Sequence, residues 1–216
     1  MAGGEVRTRT SKLEVRRSRA EGRPFAGVVA GPRITLRPLA EGELPSIEAW
    51  FGRALGLATA GAAAKLAELR EEAEADSARW VLSISESPGR PVGVLAFRAP
   101  WPSDGWLAFE LVVLAEEARG RGLALEAVTV VEGEARSGGL AGAFAAPVRA
   151  EFGRALYFWL RLGYRPLLRS RLPFRQRRIR PGRRPGQGGA DFGEPSGRAS
   201  GRGLSRADLW LVRDEP

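Results

Sequence analysis

The sequence contains no cysteine and no histidine. Without cysteine there is neither a disulfide framework nor a thiolate nucleophile. Without histidine the commonest general base, the commonest metal ligand and any Ser-His triad are excluded. Lysine is nearly absent as well: Lys12 and Lys65 are the only two, so the positive charge is almost all arginine. Tyrosine occurs twice, as Tyr157 and Tyr164. No apolar run approaches the roughly 20 residues of a membrane-spanning helix. The basic N-terminal stretch has no apolar core of the kind a secretory signal needs, so the expected location is cytoplasmic, with no membrane partner. No spaced cluster of carboxylates suggests a metal, and none is expected.

What remains is enough for a folded domain. A chain of 216 residues suits one α/β domain of about 150–180 residues plus tails, able to bury a core without disulfides. The net charge of +9 is not evenly spread. Between Arg165 and Arg206 twelve arginines face only Asp191 and Glu194, which accounts for the whole excess. Residues 1–24 are basic, poor in large apolar side chains, and read as a disordered tail. Residues 176–205 are rich in Gly, Pro and Arg and read as a disordered insertion, which closure entropy tolerates because it grows slowly with length. Such a segment can bind RNA or another acidic partner by counterion release. Only Phe174 and Phe192 are there to stack on bases, so nucleic acid is not the favoured partner.

Hydrophobic periodicity orders the rest. Arg33–Leu39 alternates Ile34, Leu36 and Pro38 against Thr35 and Arg37, a strand pattern that ends at a proline. In 41–55, Leu44, Ile47, Phe51 and Leu55 recur at helical spacing, and 60–75 is built of Ala, Leu and Glu, all good helix formers. Residues 79–86 and 91–98 read as a hairpin around Ser87-Pro88-Gly89-Arg90. Residues 106–114 form a fourth strand and 142–148 a short fifth. Residues 154–162 form a helix stopped by Gly163. Residues 167–174 and 208–213 complete a sheet of seven strands, the last at the end of a domain spanning 25–175 and 206–216.

The chain is organised around 106–136. An apolar strand gives way to Arg119-Gly120-Arg121-Gly122-Leu123-Ala124, and a helix follows over 123–136, ended by Gly138-Gly139. Strand, glycine-rich turn and helix in that order deliver consecutive backbone N–H groups to a helix N-terminus, which is an anion site. Glycines at 120 and 122 permit positive φ and close approach of a phosphate.

Arg119–Ala124 fits the pattern R-x-x-G-x-A and resembles the acetyl-CoA pyrophosphate loop of the GNAT N-acetyltransferase superfamily. Gly122-Leu123-Ala124-Leu125-Glu126-Ala127 and the run Leu36-Arg37-Pro38-Leu39 resemble the RimJ/RimL-like branch. Arg161-Leu162-Gly163-Tyr164, about forty residues further on, resembles the family's second signature. The resemblance implies an α/β (α+β) fold with a mixed, mainly antiparallel sheet flanked by helices and a V-shaped splay between the fourth and fifth strands. It implies an acyltransferase: an N-acetyltransferase moving acetyl from acetyl-CoA, a cosubstrate, to an amine by direct attack. Arg119, Gly120, Arg121, Gly122, Leu123 and Ala124 would hold the pyrophosphate, with backbone groups near Val113 and Leu114 on the pantetheine. The first two helices would wall the acceptor cleft. In the absence of histidine, Glu110, the carboxylate inside the fourth strand, is the candidate base; a solvent-facing strand residue is the alternative.

The sequence departs from the family pattern at two positions counted back from Gly163. Phe152 stands where Asn is frequent, and Trp159 where many members carry a tyrosine able to protonate the leaving thiolate. An indole N–H is a donor but not a useful acid. Tyr157 lies about 200° around the helix from Trp159 and is a poor substitute. Ala155 is within the pattern. Three functions therefore stand side by side: the acetyltransferase, a catalytically weak acyl-CoA-binding protein of the same fold, and a binder of nucleic acid or acidic partners through the Arg-rich insertion.

Overall fold

The computed structural model describes residues 24–86, 90–148, 153–167 and 209–214. The expectations for the N-terminal tail, the tip of the hairpin, Phe152 and the Arg-rich insertion lie outside those residues. Among the described residues fourteen elements are seen: β1 (Val29–Ala30), β2 (Thr35–Pro38), a 3-10 turn (Glu41–Glu43), α1 (Leu44–Leu55), α2 (Thr59–Ala75), β3 (Arg79–Ser85), β4 (Pro91–Arg98), β5 (Trp106–Leu114), a second 3-10 turn (Glu116–Ala118), α3 (Leu123–Ser137), β6 (Ala143–Val148), α4 (Gly153–Arg161), β7 (Arg165–Leu167) and β8 (Leu209–Asp214). No helix among them is long and apolar enough to cross a membrane.

These eight strands form one sheet in the order β1-β2-β3-β4-β5-β6-β8-β7. All pairings are antiparallel except β5 with β6. That exception follows from the crossover through α3, because two parallel strands need a long connection between them. The mixed, mainly antiparallel sheet expected from the sequence is present. It holds one strand more, because Val29–Ala30 pairs with Thr35–Leu36 and two residues are too few for a periodic signal.

Helices cover both faces. On one, Ile47, Trp50 and Phe51 of α1 and Ala62, Leu66 and Leu69 of α2 pack with Val81, Val94 and Ala96. On the other, Ala127, Val128 and Val131 of α3 and Trp159 of α4 pack with Ile34, Leu36, Leu82, Leu95 and Phe97. β3 is thus buried on both sides. Ser83, which looks polar and outward in the sequence, is buried and donates to Glu43 Oε1 at 3.2 Å. Phe25 is fully buried between Trp80 and Phe97. The first helix starts later than its periodicity suggests. Residues 41–43 form a 3-10 turn, and Pro45 takes the first turn of α1, where its missing N–H costs nothing.

The Arg161–Tyr164 signature acquires a physical meaning. Gly163 has φ +86°, and the Tyr164 N–H returns to the Trp159 carbonyl at 3.1 Å. This is a left-handed helix stop that favours glycine and throws the next side chain back onto the helix. Tyr164 accordingly lands on Trp159, ring centroids 4.8 Å apart, and is buried. Its hydroxyl donates to Glu132 Oε1 on α3 at 2.7 Å, while Glu132 Oε2 accepts from Arg213 on β8 at 2.9 Å. One buried carboxylate therefore joins α3, the segment that follows α4, and the last strand.

Burial and the neighbouring Glu132 carboxylate push the Tyr164 phenol far above its ordinary range. The unfolded chain releases that proton near pH 10 while the folded chain keeps it, so stability falls as pH rises through about 10. Urea midpoints followed across that range are expected to drop in the parent chain, and Tyr164→Phe is expected to flatten the drop.

Candidate functional site

The site is built on β5. Trp106, Leu107 and Ala108 pair with Ala143, Phe144 and Ala145 of β6, and there the parallel ladder ends. Beyond it β5 continues to Leu114 on β4 alone, and β6 continues to Val148 on β8 alone. Pro147, which has no N–H to offer a neighbour, falls in the part of β6 that β5 has left. This is the splay expected between the fourth and fifth strands, here β5 and β6.

The parting coincides with a β-bulge. Phe97 pairs with Phe109 but Ala96 pairs with Leu111, so Glu110 is the extra residue. Side-chain alternation slips there. Phe109, Val112 and Leu114 join the α3 side, whereas Leu111 and Val113 join the α1/α2 side. Bulges bend a strand and raise its twist, and they re-aim side chains beside active sites. The backbone follows the same count. The Ala115 N–H bonds to the Val92 carbonyl on β4 at 2.9 Å. By antiparallel alternation Val113 also faces β4, and Val112 and Leu114 turn their polar groups toward the splay. Of the two residues expected near the pantetheine, Val113 thus faces β4 and Leu114 faces the splay, as Val112 does.

Glu110 is not a solvent-facing strand residue. Its side chain is 5% exposed. Oε2 accepts from Arg79 Nε at 2.6 Å and Nη2 at 2.5 Å. The other edge of Arg79 pairs with Glu72 of α2. Oε1 is buried with no hydrogen-bond partner among the described residues. A buried carboxylate oxygen without a donor is uncommon in folded proteins and marks Glu110 as a candidate functional group.

At the far end of β5, Gly120 and Gly122 have φ +73° and +81°. Gly122 caps α3 with no side-chain bond, and the first helical bond runs from Glu126 N–H to the Gly122 carbonyl. Among the described residues, no acceptor meets the N–H groups from Gly120 to Leu125. Such a run of open donors at a helix start fits a pyrophosphate. The loop arginines are engaged elsewhere. Arg119 Nε donates to the Leu114 carbonyl at 3.1 Å, and Arg121 forks onto Glu86 at 2.6 and 2.7 Å. They brace the loop, and the open donors of Gly120, Gly122, Leu123 and Ala124 are main-chain.

A model of the Acetyltransferase (GNAT) family matches residues 46–164, more than half of the chain. The chain belongs to the GNAT acetyltransferase family. It is an acyltransferase. Solved structures share the GNAT fold. An acetyltransferase from Thermus thermophilus is 19% identical, with 84% of this chain and 96% of that one covered and a TM-score of 0.52. A Vibrio cholerae protein assigned as a ribosomal-protein-serine acetyltransferase is 13% identical over 67% and 86% of the two chains, at TM-score 0.55. The microcin C7 self-immunity acetyltransferase MccE, solved with acetyl-CoA and AMP, is 14% identical over 65% and 83%, at TM-score 0.54. At these identities the likeness is one of fold. No curated protein matches the sequence.

Neither tyrosine of this GNAT chain is placed as an acid at the splay. Trp159 packs on Phe109 of β5 at 5.3 Å between centroids and is 7% exposed. Tyr157, on the other side of α4, is 64% exposed. Tyr164 spends its proton on Glu132. Arg79, Arg33 and Glu126 were not legible as site residues in the sequence. Glu126 alone carried a signal, as an acid in the first turn of a helix otherwise chosen for packing.

Gly122 is the sharpest test of the loop. A Cβ there would meet a positive φ and sit 3.3 Å from Arg33 Nη2. Gly122→Ala is expected to cost about 1–2 kcal/mol in urea unfolding, the usual penalty for a left-handed non-glycine residue.

Proposed function

We propose that this GNAT enzyme transfers acetyl from acetyl-CoA to a primary amine by direct attack in a ternary complex. One observation carries the reading. A single strand, β5, parts from β6, presents the open oxygen of Glu110 at its bulge, and runs into the uncapped N–H groups that begin α3.

When bound, acetyl-CoA supplies the thioester carbonyl that the amine attacks. The rest is assigned to the chain's own groups. The N–H groups from Gly120 to Ala124 bind the pyrophosphate. The outward backbone groups of Val112 and the Leu114 N–H pair with the pantetheine amides as a neighbouring strand would, the Leu114 carbonyl being held by Arg119. Glu110 faces the α1/α2 side, where the family resemblance puts the acceptor. An amine arrives as an ammonium and must lose a proton before it attacks. Glu110 Oε1 is the acceptor for that proton, and Arg79 holds the other oxygen. No tyrosine is assigned to the leaving thiolate, which takes its proton from solvent or from the ammonium by way of Glu110. The likeness of the Leu36–Leu39 and Gly122–Ala127 runs to the RimJ/RimL-like branch, and the fold shared with the Vibrio cholerae protein, support placing the chain in that branch. A cytoplasmic location agrees with an acetyl-CoA-dependent reaction.

Thermal unfolding with acetyl-CoA, CoA and ATP tests the cosubstrate. At 100 times the dissociation constant binding stabilises by about 2.7 kcal/mol, which for a domain of this size is a rise of roughly 2–4 °C per kcal/mol. Acetyl-CoA and CoA are expected to raise Tm and ATP is not; no shift with acetyl-CoA overturns the assignment.

With turnover established on an amine panel, Glu110→Gln is expected to lower kcat by about 10²–10⁴, the range for loss of a general base. An unchanged rate removes Glu110 from the mechanism.

A further inference from the structure

Arg33 precedes β2, and Glu126 lies in the first turn of α3. Glu126 is 8% exposed. Its Oε1 accepts the backbone N–H of Arg33 at 2.7 Å and its Oε2 accepts Arg33 Nε at 2.8 Å. The same guanidinium reaches over the glycine loop. Nη1 donates to the Arg121 carbonyl at 2.9 Å, and Nη2 lies 3.3 Å from where a Gly122 Cβ would be.

A carboxylate in the first turn suits the helix dipole. It also competes with any anionic ligand that uses the same helix start. We infer that Arg33 is a positioning residue of the phosphate loop, which cancels the charge of Glu126 and aims the loop's donors at a pyrophosphate. The inference rests on the cosubstrate reading above.

Two physical effects combine. First, Glu126 is needed where it is, because it satisfies the backbone N–H of Arg33 and joins the start of β2 to α3. Its negative charge is the cost of that bond, and Arg33 offsets it within the same contact. Second, in a trans peptide the carbonyl of one residue and the N–H of the next point in opposite directions. Holding the Arg121 carbonyl toward Arg33 therefore turns the Gly122 N–H away from it, into the open cradle. Arg119 and Arg121 make no contact with Glu126 among the described residues; their side chains are turned to the Leu114 carbonyl and Glu86.

The test is calorimetric binding of CoA to the full chain and to Glu126→Gln, Arg33→Met and the double variant, each at low and high salt. A glutamine amide oxygen can still accept the Arg33 N–H, so Glu126→Gln is expected to tighten CoA binding several-fold although it removes an ion pair. Arg33→Met is expected to weaken binding about tenfold, on the scale of one charge–charge term acting over roughly 10 Å at the effective dielectric of a protein surface. The double variant is expected to recover most of that loss, short of the part due to the lost hold on the Arg121 carbonyl, and all three differences are expected to shrink at high salt. Unchanged or weaker binding in Glu126→Gln overturns the inference. A loss in Arg33→Met that persists in full in the double variant also overturns it, because Arg33 would then touch the phosphates or serve the fold alone. A parent chain that does not bind CoA overturns the cosubstrate site, and the inference with it.

Discussion

A strand can keep two neighbours only while its register holds with both. β5 gains one residue against β4 at Glu110, and its ladder with β6 ends at Ala108, just before that point. The rest of the site depends on this one insertion. It leaves the outward backbone of Val112 and Leu114 without a ladder partner, and it sets Glu110, paired with the Arg79 that also meets Glu72 of α2, on the same side as Leu111. Without it Leu111 would turn to the α3 side, and Val112 and Leu114 would lose their packing there. The bulge is also compatible with a stable sheet, because the edge it opens is interior to the domain and flanked by helices on both faces.

Charge is handled in a uniform way. With neither histidine nor cysteine, and with little lysine, the buried carboxylates among the described residues are met by arginine. Glu43 takes Arg37, Glu110 takes Arg79, Glu126 takes Arg33 and Glu132 takes Arg213. Guanidinium suits this work because it presents several donors in a planar fork and remains charged when partly buried. Exposed pairs of this kind contribute little, about 0–1 kcal/mol, and the Lys65–Glu68 pair on α2 is one of them. The buried ones matter more for register than for net stability, since stranding either partner is far more costly than forming the pair is favourable. In the Arg79 contact the two oxygens of one carboxylate differ: Oε2 is held by the guanidinium, and Oε1 has no hydrogen-bond partner among the described residues.

Much of this was legible before the fold was known. The strands at 91–98 and 106–114 and the helix from Leu123 follow from short-range periodicity and glycine punctuation, and their ends fall where those signals stop. The glycine loop was legible for the same reason, because positive φ at a helix start is a local requirement. The roles of Arg119 and Arg121 were less so. Their charge suggests phosphate contact, but the partners they take, a strand-end carbonyl and Glu86, come together only when the hairpin folds back. The start of α1 at Leu44 and the pairing of Val29–Ala30 were missed because a 3-10 turn and a two-residue strand leave no period to read.

The order of the elements, the glycine loop and the family resemblance all follow from the chain read as a string, because each rests on residues within a few positions of one another. The bulge, the extent of the splay and the ion pairs that aim the site exist only once the chain is folded. Arg79 and Glu110 are 31 residues apart, and Arg33 and Glu126 are 93 apart. No local propensity records which guanidinium meets which carboxylate. That choice is made when β3, α2 and β5, or β2 and α3, are packed against one another, and the desolvation of each charge then allows only the paired arrangement to persist.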